Sequence, residues 1–276
     1  MKVLACGATG KYGGLVVPEL IQRGIEVRAV AHDATKIDAV RAQGVDDTVE
    51  VDLADRSSVE AALDGVDGVF LLTPAFHPDA TQMGLIMVSA AMATGVGKVV
   101  YNGVYHPSLD LPNHVGTRPI EEALYASELD FTVLQPAMYV QALADTYRDA
   151  LSTGAVVAPW SKHSKMSYVD YRDVAEVAAV ACTDSRLSYG TFELAAGGMV
   201  DRVEIAELMS QAAGTALHAE DLPAGADAAS GEPGLAAMFA DYDRHGFHGG
   251  NSLVLQAILR RPPRTVGDYI TELSGP

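Results

Sequence analysis

The residues with the clearest chemical purpose are Gly7-Ala8-Thr9-Gly10-Lys11-Tyr12-Gly13, with three glycines in a G-x-x-G-x-x-G spacing. Glycine lets a backbone approach a pyrophosphate closely, and a helix that begins at such a turn offers N–H donors and the positive end of its dipole. The run Val3 to Cys6 reads as a strand before the turn and Leu15 to Gly24 as a helix after it, which is the β–α junction a dinucleotide site needs. The spacing differs from the better-known G-x-G-x-x-G. On this reading Gly7, Thr9, Gly10, Lys11, Tyr12 and Gly13 contact the nucleotide. A second group follows the run Val99 to Tyr101: Tyr105 and His106 are placed to protonate a substrate, and histidine ordinarily titrates nearest neutrality. A loop tyrosine and a solvent-facing histidine are the alternative. Met138 and Tyr139, just after Pro136, suit the wall of an apolar aromatic pocket or ordinary core packing.

The elements that must position these residues follow from the hydrophobic pattern. Short β-branched runs at Val3 to Cys6, Val27 to Ala31, Val49 to Asp52, Val69 to Thr73, Val99 to Tyr101 and Phe131 to Leu134 alternate with helix-length segments. Pro18 weakens the first helix without abolishing it. This rhythm predicts an α/β fold with a doubly wound parallel sheet of the Rossmann type, whose carboxyl edge holds the ligand. A nucleotide-binding domain over residues 1–154 and a smaller C-terminal α/β substrate lobe over 155–276, partly interleaved with it, are expected. Beyond Gly154 the pattern loosens. Helices are expected at Asp170 to Thr183, Val203 to Ala213, Leu235 to Arg244, Leu253 to Arg260 and Val266 to Leu273, with a strand at Thr191 to Ala195. Pro223 to Pro233, rich in Gly, Ala, Pro and Asp, reads as a loop or lid.

Composition narrows the partners. Lys and Arg number 19 against 36 Asp and Glu, a net charge of −17 that repels nucleic acid and anionic lipid. The stretch Ala80 to Gly97 is short and polar for a membrane span and reads as a buried helix. Cys6 and Cys182 form no spaced pair, and Val3 to Cys6 lacks the apolar stretch of a cleaved leader, so a reduced cytoplasm is the expected compartment. The eight histidines, His245 and His248 included, show no metal-ligand spacing, and no metal is assigned. A monomer or a homodimer is expected.

Gly7 to Gly13 resembles the GATGxxG turn of the atypical short-chain dehydrogenase/reductases, and of their NmrA-like branch in particular. The likeness continues through Val27 to Asp33, Val51 to Asp55, Ala90 to Val100, Leu129 to Pro136, Tyr168 to Asp170, Gly249 to Asn251 and Arg261 to Thr265. It implies a site binding NAD(P)H, with Asp52 and Leu53 against the adenine, Leu72, Thr73 and Pro74 beside the nicotinamide ribose, and Asn102 and Pro136 as further cofactor contacts. Ala31 stands where a carboxylate would grip the ribose hydroxyls of NADH. His32 follows, where relatives preferring NADPH carry arginine, and Lys36 lies a helical turn later; NADPH is favoured, with NADH open. Asp33 is a rival ribose ligand or a helix cap, and surface solvation is the alternative for His32 and Lys36.

The resemblance also exposes an absence. No lysine follows a tyrosine by four residues, so the Tyr-x-x-x-Lys acid–base pair of typical relatives is missing. Asn113 to Glu121 offers Asn113, His114 and Arg118 where isoflavone-reductase-like enzymes place a lysine. A quinone suits such a site, because hydride addition yields an aromatised phenolate that needs no strong enzymic acid. The expectation is therefore an NAD(P)H-dependent reductase acting on a small apolar quinone or conjugated carbonyl. A nucleotide-sensing regulator without turnover and a non-redox tailoring enzyme are the competing readings.

Overall fold

Alternating apolar runs build β1 (Lys2–Ala5), β2 (Glu26–Ala31), β3 (Asp47–Glu50), β4 (Gly68–Leu71), β5 (Lys98–Asn102) and β6 (Asp130–Pro136). Between them lie α1 (Gly13–Gln22), α2 (Ile37–Arg41), α3 (Arg56–Leu63), α4 (Ala80–Thr94), α5 (Pro112–Val115) and α6 (Arg118–Tyr125). The rest of the chain forms β7 (Met138–Tyr139), α7 (Leu143–Thr153), β8 (Ala155–Ala158), β9 (Tyr168–Val169), α8 (Tyr171–Thr183), β10 (Gly190–Leu194), α9 (Arg202–Ala213), β11 (His218–Asp221), α10 (Pro233–His245), α11 (Leu253–Leu259) and α12 (Val266–Leu273). The structure, a computed structural model, describes residues 1–31, 36–222 and 233–275. His32, Asp33 and the stretch after Leu222 expected as a lid lie outside the described residues, except Pro233, which opens α10.

Seven strands form one sheet in the order β10-β6-β5-β4-β1-β2-β3, and every neighbouring pair from β3 to β6 is parallel. All residues of β4 and β5 are buried, as when helices cover both faces of a parallel sheet. The strand order reverses between β1 and β4, and such a reversal opens a crevice at the carboxyl edge. At the opposite, amino end of β1, Lys2 pairs with Asp47 at 2.9 Å and with Glu26 at 3.2 Å, while Arg28 holds Asp47 at 3.1 Å. These contacts tie β1, β2 and β3 in register. Pro18 is accommodated inside α1.

The chain divides into two units, Met1–Gln135 with Val174–Glu193, and Pro136–Asp173 with Leu194–Pro276. The boundary expected after residue 154, with the second lobe partly interleaved with the first, falls between α7 and β8, inside the second unit. In the first unit a hydrophobic cluster including Leu4, Leu63, Leu71, Met87 and Tyr101 packs between the sheet and α3, α4 and α6. In the second, β8 pairs in parallel with β11, and β7 with β9. Asp173, fully buried, accepts from Arg261 at 2.7 Å, from the Arg264 backbone N–H at 2.7 Å and from the Arg264 guanidinium. Buried Asp170 is likewise held by Gln141 and Arg172, so neither charge is left unpaired.

Candidate functional site

The glycine turn sits where β1 meets the switch point. The Cys6 N–H donates to Phe70 O of β4 at 2.9 Å, Gly7 takes a left-handed φ of +71°, and the Gly10 N–H closes the turn onto Gly7 O at 2.9 Å. A Cβ on Gly13 would lie 2.4 Å from Gly7 O, so only glycine allows α1 to start this close to the turn. A Cβ on Gly7 would meet Leu72 at 3.1 Å, which brings the turn against the first residue after β4. Helix α1 starts with no side-chain cap and no acidic residue in its first turn. Its dipole is therefore available to an anion. This cradle fits a pyrophosphate.

The other expected cofactor residues lie after β2, after β3, after β4 and at the ends of β5 and β6. Lys36 is exposed at the N-cap of α2. Asp52 lies in the turn after β3, exposed, with its carboxylate accepting from the Ala54 N–H at 2.9 Å, and Leu53 packs partly against the core. Thr73 is half-buried and Pro74 exposed, just before Phe76, a non-glycine residue at φ +60°. Asn102 is buried and donates to Gly103 O at 3.2 Å, while the Gly103 N–H reaches Leu134 O of β6 at 2.8 Å.

After β5 the two proposed proton donors are adjacent but unlike. Tyr105 is buried, its ring 4.0 Å from that of His106, and burial followed by the charge of Glu193 pushes its phenol pKa up. It therefore holds its proton, the reverse of a lysine-activated tyrosine. His106, at φ +53°, makes a 2.8 Å contact from Nδ1 to Glu193 on β10. Because a carboxylate only accepts, this pairing sets the proton on Nδ1. Arg118 donates to the carbonyls of Pro107 at 2.6 Å, Ser108 at 2.9 Å and Leu109 at 2.7 Å, so it clamps the loop behind His106. His114 is fully buried and contacts His106 O at 3.0 Å through Nδ1.

Three comparisons bear on this arrangement. The family model described as the NmrA-like family matches residues 1–249. The chain belongs to the NmrA-like family. Its relatives include the NAD(P)H azoreductase of Xenophilus azovorans, 30% identical over 77% of this chain and 74% of that protein. The NADPH-dependent quinone oxidoreductase of Escherichia coli, solved with NADPH, has a TM-score of 0.86 at 23% identity over the whole of both chains. Citrobacter sp. triphenylmethane reductase, solved with NADP(H), has a TM-score of 0.86 at 20% identity over 99% of this chain and 100% of that one.

In this NmrA-like protein several residues beyond the expected set bear on the site. Glu193 lies beyond the expected set: β10 carries Thr191 and Glu193 two residues apart, on one face of the strand. Glu121 is also buried at the carboxyl edge, bonded by Gln135 Nε2 at 2.9 Å and by the Tyr125 hydroxyl at 3.1 Å; burial raises its pKa against those two bonds. In the second unit Met138 borders a cavity, while Tyr139 turns its ring edge to Tyr171 at 4.7 Å. Cys6 and Cys182 are both buried with thiols pushed up to about 12, which leaves them inert. Among the described residues no three His, Cys, Asp or Glu side chains converge as a metal site, and no helix is long and apolar enough to cross a membrane.

Proposed function

We propose that this NmrA-like protein is an NAD(P)H-dependent oxidoreductase that passes a hydride to a small, apolar, conjugated acceptor of the quinone or dye kind, with NADPH as the favoured reductant. The observation that carries the reading is the glycine cradle at the sheet's switch point, opening onto an α1 N-terminus without a carboxylate cap. The 30% identical relative is named an NAD(P)H azoreductase, which supports the same reading.

The bound dinucleotide supplies the hydride. Gly7, Gly10 and Gly13 let the backbone close around its pyrophosphate, Thr9, Lys11 and Tyr12 complete that turn, and Lys36 adds positive charge toward a 2′-phosphate. Asp52 and Leu53 flank the adenine, and Leu72, Thr73, Pro74, Asn102 and Pro136 border the reacting end. Glu193 orients His106, and Tyr105 packs its ring against the imidazole, so His106 is the stronger of the two proton-delivery candidates. Where the reduced acceptor is a phenolate, water suffices as the proton source.

Anaerobic mixing of the purified chain with NADPH and a panel of quinones, azo dyes, enones and aldehydes tests this. Acceptor-dependent loss of nicotinamide absorbance is expected with quinones or dyes. Tight NADPH binding with no oxidation by any acceptor would overturn the reading in favour of a sensing role.

A further inference from the structure

The loop between β4 and α4 carries a large aromatic ring where neither packing nor turn chemistry asks for one. Pro74 to Asp79 are all exposed, and Phe76 keeps 36% of its surface open to solvent. Its φ is +60°, in the left-handed region that a bulky side chain rarely enters. The His77 N–H donates to Pro74 O at 3.3 Å, which closes a four-residue turn with Phe76 in third place. A positive φ at that place alone is the type II pattern, and the residue that ordinarily fills it is glycine. The turn is braced on both sides. Pro74 and Pro78 flank it, the Asp79 N–H donates to His77 Nδ1 at 3.1 Å, and the Ala80 N–H donates to His77 O at 3.0 Å as α4 begins. Phe76 is therefore held out on a rigid knuckle.

The knuckle stands at the carboxyl edge of the first unit, beside the switch point. Strands β4 and β5 are parallel neighbours with Leu71 opposite Tyr101, and Phe76 and His106 each follow that pair by five residues, both at positive φ. Two adjacent loops thus each store backbone strain under one ring-bearing residue, and such strain clusters at ligand clamps and active sites. Leu72 abuts Gly7 of the dinucleotide turn, and the four residues from Leu72 to Phe76 span at most about 14 Å, so the ring stays within reach of a bound dinucleotide. One loop offers an imidazole, the other an apolar ring face. Their complement is a flat conjugated molecule with polar atoms at its rim.

We propose that Phe76 is the residue that sets acceptor selectivity: its ring is the platform on which a conjugated acceptor stacks, and the strained turn fixes that platform before the acceptor arrives. The proposal rests on the reductase reading for the presence of an acceptor, and both loops belong to the first unit. Offset stacking on an aromatic ring favours a fused ring system over a single ring. A platform ordered during folding also spares each binding event the entropy of immobilising a free side chain.

The test compares 2,3-dimethyl-1,4-naphthoquinone with 2,3,5,6-tetramethyl-1,4-benzoquinone, which has the same reducible ring without the fused benzene ring. With saturating NADPH, Phe76→Ala should lower the naphthoquinone-to-benzoquinone ratio of kcat/KM about threefold or more, the worth of a stacked ring pair, and Phe76→Trp should keep or raise it. Calorimetry on the full chain loaded with NADP⁺, which has no hydride to give, should show the same loss in the ratio of affinities. Melting separates the platform from a packing role. Phe76→Gly should melt above Phe76→Ala, because glycine alone is at ease at φ +60°, while losing the ratio equally. NADPH oxidation by both quinones with a ratio unmoved by Phe76→Ala overturns the platform while the reductase reading stands. A ratio of affinities lost in Phe76→Ala, with no NADPH oxidation by any acceptor, upholds the platform and overturns the reductase reading. No binding of either quinone to the NADP⁺ complex, or Phe76→Ala melting above Phe76→Gly, overturns the platform.

Discussion

Substituting Gly13 by alanine adds one methyl group, and the geometry states where it must go. The new Cβ falls 2.4 Å from Gly7 O, 2.6 Å from Gly7 C and 3.1 Å from Cys6 O. All three are backbone atoms of the turn, so no side chain can swing aside. Reaching an ordinary contact of about 3.5 Å requires the turn and the start of α1 to separate by ~1 Å. Alanine's helix preference offsets about 1 kcal/mol of the resulting strain, which for overpacking runs at roughly 1–3 kcal/mol, so the net stability loss is expected to be about 2 kcal/mol or less. Binding should suffer more. Displaced by that distance, the turn loses one or two charge-assisted bonds to the pyrophosphate at about 1.5–3 kcal/mol each, a weakening of at least about tenfold in NADPH affinity. Calorimetric titration of Gly13→Ala with NADPH, paired with a thermal melt, separates the two effects. A folded variant whose NADPH affinity stays within about threefold of the unaltered chain would refute the cradle argument.

The remaining predictions concern protons and charge. If His106 delivers a proton, Glu193→Gln and His106→Ala should each lower turnover on a non-quinone carbonyl, His106→Ala by about a hundredfold or more, with little change on a quinone and in NADPH affinity; stopped-flow rates on both acceptors check this. Lys36→Glu should lower, and His32→Arg should raise, the ratio of NADPH to NADH affinity, measured by parallel titrations. The buried Glu121 carboxyl has its pKa raised, so the folded state binds more protons than the unfolded chain above the ordinary glutamate value. Its contribution is therefore present at acid pH and lost as pH rises through the raised folded value. Replacing it in Glu121→Gln should flatten that part of the Tm-versus-pH profile, and an unchanged profile would contradict the assignment.

The glycine turn was legible because strand, turn and helix are contiguous, and the constraint at Gly13 is imposed by atoms only six residues away. The six strands of the parallel sheet were legible for a similar reason: each is a short apolar run closed by a helix. The third was read as Val49 to Asp52 but spans Asp47–Glu50, because pairing with β2 enlists the polar Asp47, which Arg28 and Lys2 neutralise. That shift puts Asp52 beyond the strand, in a turn. Helix α7 is not among the expected elements, and strands β8 and β11 fall in the stretch beyond Gly154 where the pattern loosens. The two strands have four residues each, β11 mostly exposed and β8 with one buried residue, so no alternation marks them. Glu193 was invisible for a different reason: its pairing with His106 joins residues 87 apart, and nothing local signals it.

The way the chain changes units has a consequence for the order in which a ribosome can complete it. Residues 1–135 leave the exit tunnel first, yet their sheet lacks its last strand until Gly190–Leu194 is made, after the whole of 136–173 has emerged. The nascent first unit must therefore wait with the β6 edge unpaired, a surface open to wrong pairing. His106 shares that delay, because its carboxylate arrives on the same late strand. The chain crosses between units three times, and a cut at 135/136 or 173/174 parts β10 from the sheet it completes, so exchange of second units between relatives by a single genetic crossover there would leave the recipient sheet mismatched at its edge. Diversification in such a chain is channelled into point changes around a fixed weave.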